Sequence, residues 1–178
     1  MIKRVLILLI TLLVAKTGLV YANQADNHLR ALFLYNFANY VEWPDSAFTR
    51  SHGQLHMCLF GEIEFLPMIS VYDGTLIGER QLNVFQTTKL KEIEKGCHIL
   101  FVSRDKRIEL PNFFNQIKYT YVLSIGERKD FSAKGGIVSI VRTSDRVQFD
   151  INLTAAMANR LTISSDLLSL ARKIRRLK

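Results

Sequence analysis

Apolar residues crowd the stretch LRALFLYNFANYVEWP, residues 29–44, on nearly every side. Leu29, Leu32, Phe33, Phe37, Tyr40 and Val41 recur at helical spacing, and only Asn36 interrupts that face. Ala31, Leu34, Tyr35 and Ala38 point elsewhere, and none of them is charged. A helix that is apolar all round is normally buried all round. The pattern therefore predicts cover on several sides, from its own domain, a second copy or a partner. Pro44 stops the helix, because the residue before a proline is pushed out of helical geometry.

Beyond Pro44 the period changes. LHMCLFG (55–61) reads as a strand, and QLNVFQTT (81–88) alternates as a second. Between them EFLPMISVYDG (64–74) is weakly helical, with Pro67 near its start and Gly74 after its end. KLKEIEKG (89–96) is a short connection. CHILFVS (97–103) is continuously apolar, the pattern of a central strand buried on both faces. LPNFFNQIK (110–118) reads as a helix and TYVLSIG (120–126) as a strand. GGIVSIVRTSDRVQFDIN (135–152) is two strand patterns around Thr143-Ser144-Asp145-Arg146, a hairpin. LTAAMANRL (153–161) and SSDLLSLARKIRRLK (164–178) read as helices, capped by Asn152 and by Ser164 or Ser165, with Asp166 in the first turn of the second. The alternation predicts one α/β domain: a mainly parallel sheet flanked by helices, with the antiparallel hairpin at one edge. No repeat or low-complexity linker divides it.

The first 22 residues change the setting. Lys3 and Arg4 precede an apolar run from Val5 to Ala15, and Val20-Tyr21-Ala22 places small residues for cleavage. That is the layout of a secretory signal peptide. Lys16 interrupts the run, which is shorter than the roughly 20 apolar residues a membrane span needs. The domain is then 23–178, 156 residues, enough for one respectable core. Losing Lys3, Arg4 and Lys16 takes the formal charge from +8 to +5. Export argues against reading that charge as nucleic-acid binding. Much of the remainder lies in the closing ARKIRRLK, which fits an acidic or lipid surface or a solvated helix end.

The exported chain carries two cysteines, Cys58 and Cys97. An even count in an oxidising compartment points to one disulfide, closing a loop of about 40 residues. A zinc site from His56, Cys58, Cys97 and His98 is the rival, although Cys97 and His98 would face opposite sides of a strand. Catalytic signatures are missing: no GxGxxG, no phosphate loop, no GxSxG elbow, and four scattered histidines. No catalytic residue, metal or cofactor is assigned. What remains is positional. Ligands of open α/β sheets bind beyond the carboxyl ends of the strands. Those ends carry Glu62, Ser103, Arg104, Glu127 and Arg128, a candidate ligand rim. Tyr35, Leu167, Leu168 and Ala171 are the candidate partner or dimer surface.

Several stretches together carry a resemblance: ALFLYNFANYVEWP behind a signal peptide, MCLFG, GCHILFVS, YVLSIGE, the GGIVSIV…VQFDIN hairpin and SSDLLSLARKI. From about residue 27 to 174 the chain resembles the YfiR family, small periplasmic proteins of Gram-negative bacteria. The resemblance implies a homodimeric α/β repressor. It would hold a YfiN-like inner-membrane diguanylate cyclase inactive through its periplasmic sensor part, lowering cyclic diguanylate and biofilm formation. A YfiB-like outer-membrane lipoprotein would sequester the repressor. Cys58 and Cys97 match the family's disulfide pair. A second pair found in some members falls near Ser132 and Ser139, so redox control through it is not carried over. Trp43 and Asn152 match recurrent positions and are read as structural. The alternative function is a periplasmic small-ligand-binding accessory of another sensor or envelope system.

Overall fold

The computed structural model describes residues 24–94, 96–105, 108–117, 121–142 and 147–176. The signal-peptide reading, residues 1–22, lies outside them, as do the hairpin turn at 143–146 and the last two residues. Among the described residues no helix is long and apolar enough to cross a membrane.

The chain forms an eight-stranded, mostly parallel curled sheet between helices, plus a two-stranded antiparallel sheet. Helix α1 spans 24–39 and leads into β1 (Val41–Glu42). Next come β2 (Leu55–Phe60), α2 (Leu66–Ile69), β3 (Leu76–Ile77) and β4 (Arg80–Thr87). After them run α3 (Leu90–Glu94), β5 (Ile99–Val102), α4 (Leu110–Ile117) and β6 (Leu123–Gly126). The hairpin is β7 (Val138–Arg142) and β8 (Val147–Asn152). The chain closes with α5 (Leu153–Ala158), β9 (Thr162–Ile163), α6 (Ser165–Leu170) and β10 (Lys173–Arg175).

Strand order is β10-β8-β7-β6-β5-β2-β4-β3, with β4, β2, β5, β6 and β7 parallel to their neighbours in that run. From β2 the chain steps outward to β4 and then crosses to the other side of β2 to lay down β5. The sheet thus has a topological switch point between the carboxyl ends of β2 and β5. Strand alternation splits the core in two. Leu55, Met57 and Leu59 of β2, with Ile99 and Phe101 of β5, join α1, α2, α5 and α6 on one face. Cys58, Phe60, Leu100 and Val102 face α3 and α4 on the other.

Three readings are corrected. First, α1 turns Ala31, Leu34, Phe37 and Ala38 inward, at 0–2% exposure, while Leu29, Leu32 and Tyr40 are 37–43% exposed. Ala31 and Ala38 beside Leu34 and Phe37 on the inner face let the helix lie close to the sheet, and Leu29, Leu32 and Tyr40 fall on the opposite side. Second, residues 164–178 are not one helix. Ser164 caps α6, its hydroxyl accepting from the Leu167 N–H at 3.2 Å, but Ala171 is extended and Lys173–Arg175 pairs parallel to β8. The cause is Asp150 on β8, 1% exposed, which takes Arg172 as its counter-ion and pulls the chain alongside. Third, the hairpin therefore does not close the sheet; β10 lies beyond it. Asn152 caps α5 as expected, its Oδ1 accepting from the Ala155 N–H at 3.0 Å.

Candidate functional site

The loops after β2, β5 and β6 meet over the switch point. Gly61, with φ of 115°, turns the chain out of β2, and its N–H donates to the Thr87 carbonyl. Glu62 and Ser103 are then tied together, the Ser103 hydroxyl donating to the Glu62 carbonyl at 2.8 Å. One bond thus joins the loops on either side of the switch. Arg104 leans over the next loop and donates to the Glu127 carbonyl at 3.4 Å.

Glu62, Ser103, Arg104 and Glu127 line one cavity of about 270 Å3, with Ile63, Phe65 and Phe101 as its apolar lining. Arg128 is turned away: its guanidinium donates to the Ile108 carbonyl at 3.1 Å and faces Asp130 at 3.4 Å. Two further arginines reach the site. Arg30 comes from α1 and sits 3.2 Å from Glu127 Oε1, and it also faces Asp26 at 3.2 Å and Glu64 at 3.7 Å. Arg142 comes from β7, 2.6 Å from Asp26 and 3.9 Å from Glu127. Sequence reasoning missed both because they come from elements other than the three loops. The available signal was Arg30 itself, a cation four residues after Asp26 in an otherwise apolar helix.

Glu127 is 7% exposed, and its Oε1 has no hydrogen-bond partner despite the nearby guanidinium groups. A buried carboxylate depends on such partners, because burial without them carries a heavy desolvation cost.

The proposed partner residues are scattered. Leu167 is buried in the core at 3% exposure, so it offers nothing to a partner; α6 turns it toward the sheet. Leu168 and Ala171 are partly buried against the same core. Tyr35 stacks on Tyr72 with ring centres 4.2 Å apart. Among the described residues the uncovered large apolar side chains lie elsewhere: on the outer stripe of α1, at Val71 and Leu76 beside and within β3, and singly at Met157, Leu170 and Ile174.

Cys58 and Cys97 form a disulfide, with Cα atoms 5.9 Å apart. It ties β2 to the residues entering β5, on the α3–α4 face. His98 is held separately: its Nδ1 accepts from the His56 N–H at 2.9 Å, and its Nε2 lies 3.1 Å from the Ala47 carbonyl. The zinc set is therefore not assembled, since the two cysteines bond each other and both His98 nitrogens face backbone groups. Burial holds the His98 imidazole down, to a pKa of about 4, outweighing the Ala47 carbonyl, which favours the charged form. Ser132 and Ser139 are buried neighbours: the Ser132 N–H donates to the Ser139 hydroxyl at 2.7 Å. Trp43 donates its indole N–H to the Tyr121 carbonyl at 3.0 Å.

A family model described as YfiR/HmsC-like matches residues 27–172. No curated protein matches the chain. Among solved structures, similarity extends to an ABC domain in complex with L-Trp from Streptococcus pneumonia, at 13% identity and a TM-score of 0.49 over 70% of this chain. A conserved domain protein from Vibrio cholerae O1 biovar El Tor is similar at 12% identity and a TM-score of 0.47 over 68%. The chain spans 56% and 55% of those two structures.

Proposed function

The chain belongs to the YfiR/HmsC-like family, and from that premise we propose that it is a periplasmic regulatory binding protein. In this reading it holds an inner-membrane diguanylate cyclase inactive by engaging the cyclase's periplasmic sensor domain, which lowers cyclic diguanylate and biofilm formation. Family membership supports regulation of diguanylate cyclase signalling rather than catalysis.

The observation that carries a binding role is the outer stripe of α1. Leu29 and Leu32 lie along the helix and Tyr40 just past its end, each more than a third exposed, with Phe33 half-covered beside them. A stripe of four side chains is far smaller than the roughly 800 Å2 a side of a standard stable interface. Alone it suits a releasable contact with a sensor domain better than a permanent dimer. Repression requires tighter binding to the inactive sensor state than to the active one. A tenfold preference corresponds to about 1.4 kcal/mol. A YfiB-like lipoprotein would relieve repression by competing for the free repressor.

The test is cyclic diguanylate in native cells lacking this gene, restored with either the full chain or a copy lacking residues 2–22. A rise on deletion that only the full chain reverses supports an exported brake on a cyclase. No change on deletion overturns the reading.

A further inference from the structure

We propose that the switch-point cavity is a binding site for a small organic cation, a molecule that presents a protonated amine. This inference does not depend on the identity of the protein partner.

Charge sets the ligand class. The described lining carries four carboxylates, on Glu62, Glu64, Asp105 and Glu127, against two guanidinium groups, on Arg30 and Arg104. An anion would enter against that balance. An ammonium would enter with it. The deepest acceptor is Glu127 Oε1: it is buried and lacks a hydrogen bond, although Arg30 Nε lies 3.2 Å and Arg142 Nη2 3.9 Å away. Arg30 is shared among Asp26, Glu64 and Glu127, and the planar guanidinium cannot align with all three. An ammonium has three rotatable donors and adapts to an acceptor whose burial is already complete.

The apolar lining sets the rest of the ligand. Phe65 and Phe101 are 1–2% exposed, packed edge to face with ring centres 5.1 Å apart. Aromatic surface suits both a methylene chain and a cation. A cavity of about 270 Å3 lies just below the usual range for drug-sized ligands, so the ligand is small. The bond from Ser103 to Glu62 holds the two loops together before any ligand arrives, which lowers the ordering cost of binding.

The experiment is calorimetric titration of protein purified from the periplasm with putrescine, butylamine and succinate. Putrescine and succinate share a four-carbon chain and differ in the sign of their charges. Saturable one-to-one binding of either amine, without binding of succinate, is the expected result. Glu127→Gln should weaken amine binding about tenfold or more. If that variant fails to fold, Glu62→Gln at the exposed mouth should weaken binding severalfold. Three results would overturn the proposal: no saturable amine binding up to the order of 10 mM, succinate binding as tight as putrescine, or unchanged amine affinity in the folded variants.

Discussion

Arg172 grips Asp150 through two hydrogen bonds, Nε to Oδ1 at 2.8 Å and Nη2 to Oδ2 at 2.7 Å. The carboxylate is almost fully buried, whereas the arginine side chain is 43% exposed. The Arg172 N–H also donates to the Phe149 carbonyl at 2.9 Å. Together these contacts turn the end of the chain from helix to strand. Removing the cation leaves a buried, unpaired charge. Arg172→Ala should lower the free energy of unfolding by about 2 kcal/mol, read from the urea midpoint. In the double variant with Asp150→Asn the loss should be smaller than the sum of the two single losses. Strict additivity would show that the pair is not coupled.

The disulfide supports the same fold from within. Cys58 and Cys97 are 39 residues apart in sequence. The chain-entropy account assigns a loop of that length about 4 kcal/mol. Cys58→Ser with Cys97→Ser should lower the melting temperature and the periplasmic yield. Equal melting of the variant and the oxidised protein would remove this role.

His98 gives the fold a dependence on acid. Its imidazole stays neutral in the native state down to about pH 4, whereas an unfolded histidine protonates near 6.5. Between those values the unfolded chain binds more protons. Stability is therefore complete above about 6.5 and falls as the pH drops toward 4, by about 3 kcal/mol in total. His56 adds to the same trend, since burial also lowers its pKa. Urea midpoints from pH 7 to pH 4.5 should fall steadily, with a smaller slope in His98→Gln. An identical slope in that variant would assign the acid sensitivity to other groups.

Two leucines on α1 separate surface from core. Leu32 is 43% exposed and Leu34 is fully buried. Leu32→Asp should change stability by no more than about 0.5 kcal/mol and raise cyclic diguanylate in cells. Leu34→Ala should cost about 2–5 kcal/mol. Repression at wild-type strength by a folded Leu32→Asp protein would exclude the stripe as the contact.

The sequence was most legible where one physical term dominated. The apolar runs of β2 and β5 stand out because both faces of those strands are buried. Strands β1, β3 and β9 are two residues long and leave no period to detect. On α1, the all-round cover suggested by its composition is incomplete: Ala31, Leu34, Phe37 and Ala38 are buried, whereas Leu29, Leu32 and Tyr40 are not. At the C-terminus, helical spacing through Leu167, Leu168, Leu170 and Ala171 continued on paper to Ile174, but a buried carboxylate 22 residues away overrode it. At the site, strand-end logic found Glu62, Ser103, Arg104 and Glu127, which one cavity brings together. It also included Arg128, which faces away. It could not find Arg30 or Arg142, because their places depend on how α1 and β7 pack against those loops.

The ends of the sheet constrain how copies of this protein can meet. β3 contributes two residues and β10 three, the latter carrying Lys173 and Arg175. Both outer strands are short and β10 is charged, which makes them poor templates for edge-to-edge pairing. A concentrated population in a crowded compartment therefore has little opportunity to aggregate by extending one sheet into the next. Any association of copies would then fall to the helical layer, without strand exchange.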